Sequence, residues 1–140
     1  MITRKTEYAI RTLWELSRQP DDLMTATQVA QKQNIPPKYL PQIVAELSQA
    51  GLLHSLRGYG GGIKLGRSAG DISLFNIIEA VQGSPKLFEC HEGNAGCSGT
   101  STCTLSNVYE RALKAMTQVF MDTRLSDIEI GRGSRGNDGN

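Results

Sequence analysis

Apolar residues recur along this chain first at helical and then at alternating spacing, and the changes of period divide it into elements. From about Thr3 to Ser17, the apolar positions Tyr8, Ile10, Leu13, Trp14 and Leu16 make one stripe of a helix. Gln19-Pro20-Asp21-Asp22 ends it. Thr27 is placed to cap a short second helix, TQVAQKQN, with Val29 and Ala30 inward. After Asn34-Ile35-Pro36-Pro37, a third helix, KYLPQIVAELSQAG, carries Leu40, Ile43, Val44 and Leu47 on its apolar face and stops at Gly51. The period then shortens: LLHSLRGYGGGIKLG reads as two short strands around a turn from Gly58 to Gly62. Ser73 caps a fourth helix, SLFNIIEAVQG, with Leu74, Ile77, Ile78 and Val81 inward and Gly83 as its stop. Beyond residues 84–103, TLSNVYERALKAMTQVFMDT is a long amphipathic helix with Leu105, Val108, Ala112, Met116 and Val119 on one face. Leu125 to Ile130 form a last turn, and GRGSRGNDGN reads as a disordered tail.

Three helices and then a hairpin is the order of a winged helix-turn-helix, with the third helix as reader and the hairpin as wing. The expected fold class is therefore mainly α with a small β-hairpin, a winged helix-turn-helix plus a long C-terminal dimerisation helix. Residues 1–83 form the DNA-binding domain, 84–103 a cysteine-bearing loop, 104–130 the dimerisation helix and its end, and 131–140 the tail. Pairing with a second copy is the economical way to cover the long helix's stripe, and packing back on its own domain is the alternative. Pro41 removes an amide donor inside the reader helix: with Pro37 as the first helical residue it falls at the fifth position, and the alternative is a helix that starts near Pro41 with PPKYL as a tightened lead-in.

Composition narrows the function. The chain has 140 residues, 39% hydrophobic and 21% charged, which suits one soluble domain. No apolar run approaches the roughly 18 residues that span a bilayer, and the N-terminus lacks a signal-peptide core, so the expected location is the cytoplasm. The net charge of +1 is uneven: residues 1–70 hold nine Lys or Arg against five Asp or Glu, and residues 71–140 six against nine. A basic N-terminal half suits a polyanion such as double-stranded DNA. No nucleophile–base motif and no phosphate loop before a helix is visible, so neither an enzyme, a small organic substrate nor a membrane partner is expected.

On the reader helix, Lys38, Tyr39 and Gln42 are the candidates for contact with base edges, since Gln bonds an adenine edge in two places and Lys reaches guanine or a phosphate. Tyr39 is also a core candidate, because it leads the apolar stripe. On the wing, Arg57 suits a narrow minor groove, and the Gly58-Tyr59-Gly60 tip lets backbone approach phosphates. Arg4, Lys5 and Lys64 are weaker phosphate candidates.

All three cysteines fall in ECHEGNAGCSGTSTC, residues 89–103, as Cys90-x6-Cys97-x5-Cys103. The spacing is wider than the C-x-x-C of a zinc knuckle. Thiolates are the usual iron–sulfur ligands, and a Gly- and Ser-rich loop can wrap a bulky group and offer amide donors to sulfide. An iron–sulfur cluster is the leading reading, with zinc, a metal-free thiol switch and inert cysteines behind it. A small iron–sulfur electron carrier is a further alternative, though it would not need a reader helix and wing. His91, Glu89 and Glu92 are candidates for a fourth ligand.

MITRKTEYAIR, PPKYLPQIVAEL, GLLHSLRGYGGGIKL, ISLFNIIEAV and the three-cysteine loop before a long helix resemble the Rrf-two family of bacterial transcription regulators, up to about Ile130. The resemblance implies a dimer that binds operator DNA as a repressor, with an iron–sulfur cluster, four-iron or two-iron, gating the binding in response to redox, nitric oxide or iron status. In cluster-biogenesis members a His follows the last Cys by three positions, and here that position is Ser106. In nitric-oxide-sensing members a carboxylate near the N-terminus reaches the cluster from the other subunit, and the matching position is Glu7. The ligand set so implied is Cys90, Cys97 and Cys103 of one chain with Glu7 of the partner subunit.

Overall fold

The computed structural model describes residues 2–84 and 104–131. Helix α1 (Arg4–Ser17) starts at Thr3, whose side chain accepts from the Thr6 amide at 3.1 Å. It is the centre of the core. Ala9 and Leu13 are fully buried and Leu16 nearly so, whereas Tyr8 and Ile10 are half-buried. The stripe is thus rotated from the expected one, because the small residues Thr6, Ala9 and Thr12 let neighbouring elements approach closely.

Helix α2 (Ala26–Gln33) begins earlier than the Thr27 expectation, and its cap is Thr25. The Thr25 hydroxyl accepts from the Gln28 amide at 3.1 Å, and the Gln28 side chain accepts from the Thr25 amide at 2.9 Å. A cap at Thr27 would set Ala30 three residues on, with no side chain to return the bond; Thr25 with Gln28 satisfies two orphan donors. The Gln33 side chain on α2 donates at 2.7 Å to Glu15, a buried acid on α1 that also has Arg18 at 3.6 Å. Buried charge is costly unless paired, and this one is.

A 3-10 turn, Pro37–Tyr39, leads into α3 (Leu40–Gln49). Pro41 is the second helical residue, where an amide would have no partner inside the helix anyway, so the proline is tolerated. The helix closes with the amides of Gly51 and Leu52 donating to Ser48 and Leu47, a Schellman arrangement that buries Leu47 and Leu52 together.

Strands β1 (Leu53–Leu56) and β2 (Gly62–Leu65) pair antiparallel, with Leu53 opposite Leu65 and Leu56 opposite Gly62. Met24 exchanges two backbone bonds with Ile63, at 3.0 and 2.8 Å, which roots the hairpin in the α1–α2 connection. Helix α4 (Leu74–Gln82) is capped by Ser73 in a capping box with Asn76 and ends at Gly83. Helix α5 (Thr104–Asp122) is joined to the start of α4 by the Leu74 amide on Thr123 O at 2.9 Å. The chain then turns back over α1: Leu125 is buried in a 3-10 turn, Leu125–Asp127, and Trp14 Nε1 donates to Ile128 O at 3.0 Å.

Thr25→Ala is expected to cost about 1 kcal/mol in urea unfolding, and Thr27→Ala close to nothing. Equal effects of the two substitutions would contradict the Thr25 cap.

Candidate nucleic-acid interface and the stem of the cysteine segment

The reader helix presents Lys38 and Gln42 to solvent at its N-terminal end, with the exposed Pro41 between them. Tyr39 is placed differently. It is half-buried, its ring meets Tyr8 edge-on with centroids 4.9 Å apart, and the Lys38 ammonium lies 5.5 Å from its centroid. An edge-to-face pair of this kind fixes the seat of the helix on α1. The rest of the reader surface is ordered by Glu46. Gln42 Nε2 donates to Glu46 Oε2 at 3.3 Å, and Lys5 Nζ lies 3.0 and 3.2 Å from the two carboxylate oxygens. Lys5 is therefore committed to an ion pair across the α1–α3 junction.

Arg57, Gly58, Tyr59 and Gly60 all stand exposed at the tip of the hairpin. Gly58 and Gly60 have φ of +98° and +79°, conformations that other residues adopt with strain, and they turn the chain tightly enough to leave the Tyr59 side chain wholly in solvent. Among the described residues Arg57 and Tyr59 have no polar partner. The candidates thus form two groups, Lys38 in the 3-10 lead-in with Gln42 on α3, and Arg57 to Gly60 on the wing. Between them lies an apolar groove of about 390 Å³, lined in part by Pro37, Pro41, Val44 and Leu56.

Glu7 lies on the exposed side of α1, its side chain 53% accessible, with one oxygen 2.8 Å from Arg11 a turn away. The turn of α1 that carries it is fastened to the end of α4. The Thr6 hydroxyl donates to Gln82 Oε1 at 2.6 Å, and the Thr3 amide reaches the same oxygen at 3.1 Å. Gln82 stands eight residues before Cys90, where the chain runs on toward the cysteine segment. Cys90, Cys97 and Cys103, with His91, Glu89 and Glu92, lie outside the described residues. Ser106 is half-buried in the first turn of α5. No residue of α5 is buried, and Leu105, Val108 and Val119 are 55%, 48% and 62% exposed.

Glu46 was invisible as a site residue in the chain's apolar pattern. Its spacing of four from Gln42 was the available signal; its pairing with Lys5, 41 residues away, had none.

The Rrf2 family model, described as an iron-dependent transcriptional regulator, matches residues 2–129. The HTH-type transcriptional regulator IscR of Cereibacter sphaeroides is 35% identical over 132 residues, covering 91% of this chain and 85% of that protein. The HTH-type transcriptional regulator NsrR of Halalkalibacterium halodurans is 32% identical over 130 residues, covering 91% and 88%. Among solved structures, IscR of T. potens is 26% identical with a TM-score of 0.73 over 91% of this chain and 84% of that one. CymR, the global cysteine regulator of B. subtilis, is 27% identical with a TM-score of 0.76 over 91% and 94%.

Tyr39→Ala is expected to lower stability by about 2 kcal/mol, less than loss of a fully buried ring, while Tyr39→Phe stays near wild type in urea unfolding. An Ala variant as stable as wild type would contradict the seat on Tyr8.

Proposed function

The chain belongs to the Rrf2 family of iron-dependent transcriptional regulators, and from that premise we propose that it is a homodimeric repressor whose hold on operator DNA is gated by an iron–sulfur cluster. Members of the family regulate transcription and are not enzymes. The exposed N-terminal end of α3 enters the major groove, where Gln42 addresses a base edge, Lys38 a guanine or a phosphate, and Tyr39 borders the contact from its seat on Tyr8. Arg57 reaches into the adjacent minor groove, and Gly58, Tyr59 and Gly60 follow the backbone beside it. The exposed apolar face of α5 pairs with a second copy, since an uncovered stripe of this length is unfavourable in water.

The group is held by Cys90, Cys97 and Cys103 with Glu7 of the partner subunit. Three thiolates and a carboxylate are a donor set that iron accepts. The exposed Glu7–Arg11 pair is of a kind that contributes about 0.5 kcal/mol or less, so the carboxylate is easily released from it. The observation that carries the reading is the bonding of Thr3 and Thr6 to Gln82, which puts the Glu7 turn at the end of the molecule from which the cysteine segment departs. A two-fold partner presents the same pair of features. Bound there, a four-iron or two-iron cluster would supply a centre sensitive to redox state, nitric oxide or iron status, with the hard carboxylate as its weakest bond. Because Glu7 belongs to the helix on which the reader helix rests, its engagement or release changes how the two reading heads are held.

Protein purified without oxygen is expected to show visible absorption and to contain iron and acid-labile sulfide. A Glu7→Ala variant is expected to stay dimeric and to lose the chromophore faster in air. A colourless, iron-free wild-type protein that binds its operator would overturn the cluster; unchanged chromophore lifetime in Glu7→Ala would remove Glu7 from the ligand set.

A further inference from the structure

We propose that Glu46 is a positioning residue for base recognition: its carboxylate, anchored by Lys5, fixes the orientation in which Gln42 presents its amide to DNA. The inference deepens the reading role of Gln42 and rests on it. Gln42 and Glu46 stand one turn apart on the same face of α3, and the Gln42 amide nitrogen donates to Glu46 at 3.3 Å. A glutamine side chain has one acceptor oxygen and two N–H donors on a nearly symmetrical amide. To bond an adenine edge in two places, its oxygen must meet the N6 amino group while one N–H meets N7. Turned over, it sets oxygen against N7, acceptor against acceptor.

An exposed glutamine with no neighbour samples both orientations. A carboxylate can only accept, so it selects the orientation with nitrogen toward Glu46. One N–H is then used, and the other N–H and the oxygen remain for the base. The carboxylate itself needs holding. A free acid on a reader helix would be repelled by phosphates and would swing away from the DNA, taking Gln42 with it. Lys5 prevents this. Its ammonium lies 3.0 and 3.2 Å from the two Glu46 oxygens, and the two side chains are only 24% and 27% exposed, so the charge is neutralised and the carboxylate is fixed on α1.

The test uses the full chain, purified without oxygen, and a duplex selected by the wild-type protein from a random pool. The readout is a ratio: affinity for the selected duplex over affinity for the same duplex with one base pair replaced. The pair read by Gln42 is the one whose ratio, about tenfold in wild type, collapses to about one in Gln42→Ala. At that pair Glu46→Ala is expected to lower the ratio about threefold or more, and to change nothing further in the Gln42→Ala background. A uniform gain or loss of DNA affinity, or of stability, cancels in the ratio. Should Glu46→Ala not fold, Lys5→Met, which leaves the carboxylate unanchored, is measured in the same way with the same expectation. A wild-type ratio in Glu46→Ala, or in Lys5→Met used in its place, together with a collapsed ratio in Gln42→Ala overturns the positioning role alone. If Gln42→Ala alters the ratio at no base pair, Gln42 is not a reader and both statements fail.

Discussion

The burial of α1 is the constraint on which the rest of the fold depends. Ala9, Leu13 and Leu16 stand in the larger of the domain's hydrophobic clusters with essentially no exposure. The reader helix, the hairpin, α2, α4 and the turn after α5 all pack against this one helix. Small residues on α1 set how near they come, and a single rigid helix sets their mutual angles. Close-packed interiors do not deform continuously, so a displacement of α1 is shared by every element seated on it. That property suits a regulator, in which a local chemical event must alter the presentation of a reading surface.

The polar contacts of α1 give that mechanical role a direction. Within its first turn, Thr3 and Thr6 bond Gln82 at the end of α4, and Lys5 pairs with Glu46 on the reader helix. Three residues after Lys5 on the same helix, Tyr8 seats Tyr39. Glu7 lies among these contacts but faces outward, its carboxylate paired among the described residues with the half-exposed Arg11. The residue proposed to meet the cluster is thus the loosely held member of a tightly held turn, which is the arrangement a signal needs in order to be reversible without unfolding the domain.

Much of this was legible in the chain. The period change from helix to hairpin, the stops at Gly51 and Gly83 and the Ser73 cap are local signals, and local signals survive folding. The cap of α2 was misplaced because Thr25 and Thr27 are both plausible on type alone, and the reciprocal partner Gln28 decides between them. Pro41 was legible as a boundary marker because a proline constrains its own backbone whatever surrounds it. The buried Glu15 and the Lys5–Glu46 pair were not, since each depends on a partner 18 or 41 residues away. Lys5 in particular read as a weaker phosphate candidate. Of the candidate site, the two groups on the reader segment and the wing were named from spacing and residue type, and the structure leaves Lys38, Gln42 and the wing tip exposed while seating Tyr39 on the core.

The central claim is that cluster chemistry and operator binding are energetically coupled through α1. The most direct measurement is operator affinity, at fixed salt, of the protein purified without oxygen and of the same protein after removal of its iron. The account predicts affinities that differ by about tenfold or more, with the original value restored on reconstitution of iron and sulfide. Equal affinities for the iron-loaded and iron-free protein would contradict it.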